Sequence, residues 1–178
     1  MENHQEVLHE IERLEARKQY GPALDAAQSG LRKFPRTRPL AKKLAALLEK
    51  VQNYPQALAL YRQLQEETQQ SGGKSELDVV LGIGRCLVRT QQYDQAISLY
   101  EQLLPSVPDQ PDALTGLAIC LRHKGQLANA EDRVNRALAS RNDFMPAIHE
   151  LAEVHIANKE PDRAIPLLEK NIRRPEIY

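Results

Sequence analysis

The segment Leu77–Gln110, LDVVLGIGRCLVRTQQYDQAISLYEQLLPSVPDQ, carries two helical patterns separated by a polar turn within the 178-residue chain. Val80, Ile83, Leu87 and Val88 fall at helical spacing in its first half. RTQQYD then supplies a turn, and Ala96, Ile97, Leu99, Tyr100 and Leu103 resume the helical pattern before Pro108 closes the segment. The segment is therefore expected to form a pair of helices. The same shape recurs in QYGPALDAA, NYPQALALY, QLANAEDRV and EPDRAIPLL. Their alanines, with that of the first segment, are Ala23, Ala57, Ala96, Ala130 and Ala164, spaced by 34, 39, 34 and 34 residues.

Set in phase, the blocks span residues 4–37, 38–71, 77–110, 111–144 and 145–178, with one five-residue insert at 72–76. One helix pair cannot bury its apolar face alone, so a fixed period of this length implies pairs stacked on one another in a single array. Pro39, Pro111 and Pro146 stand where first helices should begin, and Pro22, Pro55 and Pro161 where second helices should begin. There a missing N–H is harmless and a fixed φ suits the first turn. No alternating pattern of strands occurs. The expected fold is all-α.

These residues resemble the tetratricopeptide repeat, with its W-x2-L-G-x2-Y, A-x3-F and closing P. The third block carries the resemblance best, with Val80, Ile83, Gly84, Leu87, Ala96, Tyr100, Leu103 and Pro108 in the signature places. The second offers Ala41, Leu44, Ala45, Leu48, Ala57, Tyr61 and Leu64, and the fourth Leu114, Leu117, Ala118, Leu121, Ala130, Val134 and Ala137. The fifth gives Ile148, Leu151, Ala152, His155, Ala164 and Leu168. The first is the poorest, with Glu10 where Leu is usual. The resemblance implies a right-handed superhelical solenoid of antiparallel helix pairs, with first helices lining a concave surface. It also implies a scaffold or adaptor that binds a protein or peptide and has no chemistry of its own. The alternative is a substrate-docking or regulatory domain of a larger enzyme, for example a glycosyl- or sulfo-transferase.

Composition narrows the partners. Lys+Arg and Asp+Glu both total 24, so no net field draws the chain to nucleic acid or an anionic membrane. Aromatic residues are 4% with no Trp, which leaves few platforms for stacking bases, so nucleic acid is not an expected partner. No run approaches the roughly 18 apolar residues of a membrane span, so no membrane insertion is expected. The charged start, MENHQEVLHEIERLEARK, lacks the apolar core of a secretory signal. With two cysteines, too few for a disulfide framework or a zinc site, the expected setting is cytoplasmic.

Several local patterns imitate chemistry. SGGKSE at residues 71–76 looks like the tail of a phosphate-binding loop, but Thr68 stands where its first glycine belongs and the preceding segment reads as helix. The glycines there are expected to stop a helix, Ser75 to cap the next, and the insert to act as a joint between the first two blocks and the last three. Cys86 and Cys120 are 34 apart, equivalent small-residue places. In HELAEVH the histidines His149 and His155 are six apart, on nearly opposite helix faces, unlike the i, i+4 pair of a zinc protease. No cofactor, metal site or catalytic residue is expected.

Specificity should then reside in first-helix places not used for packing. The expected groove residues are Lys42, Leu81, Arg85, Val88, Arg89, Ile119, Arg122, His123 and His149, basic with apolar interruptions. That combination suits a peptide with acidic character. A carboxylate clamp for chaperone tails is disfavoured, because Leu8 and Glu12 stand where Lys and Asn would be wanted. The fifth block lacks a polar closing helix, and Pro166 should bend its second helix, so the expectation is either a segment of a longer protein or self-association through Leu167 and Leu168.

Overall fold

The computed structural model describes residues 3–172, with side-chain surroundings through Glu169; the closing residues 173–178 of the fifth block lie outside the described residues. The described residues form ten helices and no strand. These are α1 His4–Ala16, α2 Tyr20–Lys33, α3 Arg38–Lys50, α4 Tyr54–Gln70, α5 Leu77–Arg89, α6 Tyr93–Leu103, α7 Pro111–His123, α8 Leu127–Ser140, α9 Met145–Ala157 and α10 Pro161–Ile172. Two compact units divide the chain, Met1–Thr90 and Gln91–Tyr178. The first packs α1 on α2, α3 on α4, and each pair on the next first helix; the second packs α6 through α10 in the same manner.

Each first helix is followed by a residue of the same backbone conformation. Lys18, Gln52, Gln91, Gly125 and Lys159 all take a left-handed backbone conformation, with φ of 56, 61, 59, 76 and 63°. After α3, Gln52 N–H donates to the Glu49 carbonyl and Asn53 N–H to the Leu48 carbonyl. The same two bonds close α1, α7 and α9. This pattern satisfies carbonyls that a helix end leaves bare and reverses the chain within three residues, so the helices it joins run antiparallel. Four of the five left-handed residues carry a Cβ that costs about 1 kcal/mol there.

The second helices use their alanines as contact points. Ala23, Ala57, Ala96 and Ala130 are wholly buried, and Ala164 nearly so, which lets the paired helix approach closely. In the first block, where Glu10 replaces an apolar residue, the neighbouring Ile11 is completely buried and fills the inward face of α1.

The insert at 72–76 behaves differently from the expected joint. Gly72 adopts φ +71° and Gly73 N–H donates to the Thr68 carbonyl at 2.9 Å, so the glycines do stop α4. The cap of α5 falls on Glu76, not Ser75, and Asp78 accepts from the Val79 N–H at the helix start. Glu76 is held by both Arg38 and Lys42 of α3. The Arg38 guanidinium also donates to the Leu64 carbonyl and the Thr68 hydroxyl. Both ends of the insert are thereby tied to α3, so it lies inside the first unit, and the division into compact units falls at Thr90 and Gln91 instead.

Relieving one left-handed side chain tests the turn assignment. Gln52→Gly should stabilise the chain by roughly 0.5–1 kcal/mol, since the gain at positive φ exceeds the added unfolded-state freedom. Gly125→Ala should destabilise it by a similar amount. Urea denaturation of both variants measures this; a Gln52→Gly chain less stable than its parent would contradict it.

Candidate interaction surfaces

Packing consumes part of each first helix before any surface remains for a partner. In the first unit the ring of Tyr61, on α4, lies over Gly82 of α5. A Cβ at Gly82 would come within 2.5 Å of the Tyr61 Cζ. In the second unit Tyr100 of α6 covers Gly116 of α7 in the same way, again at 2.5 Å. Both tyrosines are nearly fully buried. The Tyr61 hydroxyl donates to Glu49 at 2.6 Å, and burial together with that acceptor raises its pKa. These tyrosines are packing elements, as their recurrence in phase implied.

The other junctions lack the tyrosine. In phase with Tyr61 and Gly82 stand Ala27 and Lys43 at the first junction, and Val134 and Glu150 at the last. Lys43 pairs with Glu15 of α1 at 2.7 Å, and Glu150 of α9 receives a two-pronged bond from Arg122 of α7 at 2.7 and 3.1 Å. The polarity of the charged pair is reversed between the two junctions. Where the second helix gives a small side chain, a long charged one enters from the next block and finds an opposite charge.

These pairs rewrite the expected basic groove. Lys42 is bound by Glu76 and Asp78. Burial lowers the Lys42 pKa, but the two carboxylates outweigh it and leave it raised. Arg85 grips Glu49 with Nε at 2.8 Å and Nη2 at 2.9 Å. Arg122 is committed to Glu150, which lifts its pKa further. Three of the expected cations are thus neutralised within their own units. Leu81 is only 7% exposed, so it packs in the core and is withdrawn from the surface set. Val88 and Ile119 are half-buried, and Arg89, His123 and His149 are exposed. His123 stacks on Tyr93 with centroids 4.6 Å apart, and His149 lies 4.0 Å from Glu153.

The partners Glu49, Glu76 and Glu150 were not foreseen. A signal existed for Glu49, an acid just before the turn of a block whose successor supplies Arg85. Reading residues only along one helix hid it, because the pairing runs between blocks.

The reactive-looking groups are quiet. Cys86 and Cys120 are free and fully buried, and burial followed by the nearby carboxylates Glu49 and Glu150 respectively pushes both thiols up to about 12. A thiol so placed is a packing group, because the thiolate is the reactive form.

A protein built from packed helix pairs with one 34-residue period is a helical-repeat protein. Two models described as Tetratricopeptide repeat match residues 37–109 and 87–152, more than half of the chain between them, and the chain belongs to the tetratricopeptide repeat family. Among solved structures it resembles TTC0263, a thermophilic TPR protein of Thermus thermophilus. The two are 20% identical with a TM-score of 0.78, over 94% of this chain and 89% of that one. It also resembles the MamA 41-end chain from Desulfovibrio magneticus RS-1, at 14% identity and a TM-score of 0.72, over 94% and 92% of the two chains. At such identities the likeness speaks to the fold. No curated protein matches the sequence significantly. Family membership supports a protein–protein interaction scaffold in general terms.

The junction charges carry a pH signature. Burial pushes the Glu15 carboxyl up, but hydrogen bonds from Lys43 and Lys50 outweigh it and hold the pKa below the usual value. A depressed carboxylate contributes stability above its unfolded pKa, about 4.3, and loses it as pH falls through the folded value. Glu15→Gln should cost on the order of 1–2 kcal/mol at neutral pH. The cost should shrink on acidification below about pH 4, measured by urea unfolding across pH. A constant cost at every pH would contradict the pairing.

Proposed function

We propose that the chain is a non-catalytic scaffold that holds a segment of a partner protein against first-helix surfaces within each unit. In the first unit these are the α3 and α5 side chains around Val88 and Arg89. In the second they are the α7 and α9 side chains around Ile119, His123 and His149. The observation that supports this reading is the division of labour along each first helix. Inward places are consumed by packing and several cations by internal carboxylates, while half-buried apolar side chains remain beside exposed polar ones. Surfaces of that kind suit an extended or helical peptide.

Any acidic preference of the partner rests on Arg89, which is exposed and has no ion pair among the described residues. Lys42, Arg85 and Arg122 instead shape the surface, and removing Arg85 or Arg122 would take from Glu49 or Glu150 the guanidinium that compensates it. The proposed setting is cytoplasmic, which suits two free buried thiols; no helix of the described residues is long and apolar enough to cross a membrane. Self-association through the last repeat would engage Leu167 and Leu168, which are half-buried, with the more exposed Ile165 on the same helix.

Site-specific photo-crosslinking in the native host tests the assignment. A crosslinking side chain at Val88, Ile119 or His149 should capture one recurring polypeptide, and at the second-helix positions Gln63 or Asn135 should capture little of it. Arg89→Glu should weaken that capture several-fold and reduce its salt dependence. Equal capture from the second-helix positions would overturn the surface assignment.

A further inference from the structure

The repeats serve as their own comparison, and the fifth departs from the other four at two places that touch. The first-helix place holding His155 holds Leu14, Leu48, Leu87 and Leu121 in the other blocks. The residue before the second helix is an amide in four blocks, Gln19, Asn53, Gln92 and Gln126, and a carboxylate, Glu160, in the fifth. The histidine makes no sense alone, since in a leucine place it strands a polar nitrogen. His155 is buried, and its Nδ1 lies 3.3 Å from Glu160 Oε2. Nδ1 has no hydrogen-bond partner of acceptable geometry, so the two side chains attract each other when the imidazole is protonated.

The backbone fixes this meeting. Glu160 N–H donates to the His155 carbonyl at 2.8 Å, and Lys159 between them takes the left-handed turn. Glu160 in turn accepts from Arg163 of α10 at 2.7 Å, and Arg163 pairs with Glu131 of α8 at 3.0 Å. The charges facing His155 are therefore Glu160, with Arg163 and Glu131 behind it; Arg122 of α7 is committed to Glu150. With His155 protonated, the row reads plus, minus, plus, minus across three helices. With it neutral, an unbonded nitrogen faces a carboxylate in a buried place. The helix it holds already lacks one backbone donor, because Pro166 stands inside α10.

We propose that His155 and Glu160 form a proton-operated latch that fastens α10 to α9 when the imidazole is charged and slackens it when the imidazole is neutral. Histidine is the side chain whose charge changes in the physiological range, and among the described residues His155 is the buried one, so the packing of the last repeat is tied to pH there.

Hydrogen exchange of the α10 amides, corrected for intrinsic rates, tests this at about pH 5.5 and about pH 8. In the parent chain α10 should be protected about fivefold more strongly at the lower pH. His155→Leu and Glu160→Gln each restore what the other blocks carry and should abolish the difference. Should His155→Leu lose α10 altogether, Glu160→Gln still decides. A parent chain with equal protection at both pH values, or with weaker protection at the lower one, would overturn the latch. So would an unchanged pH dependence in Glu160→Gln.

Discussion

Each block presents a second helix to the first helix of the next, and the volume supplied by one must match the space left by the other. This exchange is the constraint on which the other features rest. A tyrosine ring over a glycine meets it twice, at Tyr61 with Gly82 and at Tyr100 with Gly116. Glycine inside a helix costs about 1 kcal/mol relative to alanine, so its presence at these two places needs a reason. The ring supplies it, since no side chain could stand there without displacing an aromatic group from the core. At the outer junctions Ala27 and Val134 give up that volume, and Lys43 and Glu150 take it with a charge attached.

That second solution has consequences for the surface. A long charged side chain brought into a junction must be compensated, because an unpaired buried charge is costly. Glu15 and Arg122 do so from the preceding first helix, each close to the turn. Charges that look in the sequence like a receptive basic stripe are thereby spent on holding blocks together. What remains uncovered on the first helices is smaller and more mixed, half-buried Val88 and Ile119 and exposed Arg89, His123 and His149, and these are the side chains proposed to meet a partner. Scaffold function and array stability thus share the same helices but divide their faces.

Much of the fold was legible because it depends on period. Five alanines in phase locate five helix pairs, and prolines locate starts; the helices begin at His4, Arg38, Leu77, Pro111 and Met145, the first residues of the blocks. The left-handed turn was not read from the sequence: a glycine marks it at Gly125, but Lys18, Gln52, Gln91 and Lys159 carry no such signal. The insert misled because two glycines read as slack. Arg38, 38 residues before Glu76 at the insert's far end, closes that slack, and nothing local announces a bond of that reach. The candidate surface was the least legible part. Leu81 lies one turn before Arg85 and was placed on the same surface, but its short apolar side chain is covered in the core while the longer Arg85 reaches out to Glu49.

A double-mutant cycle at Tyr61 and Gly82 isolates the exchange of volume between consecutive blocks. Gly82→Ala in the parent chain should cost roughly 1–3 kcal/mol from overpacking. With Tyr61 replaced by the valine found in phase at position 134, the same Gly82→Ala change should become neutral or stabilising, as helix propensity then acts alone. A cost for Gly82→Ala that is the same with tyrosine and with valine would contradict that exchange.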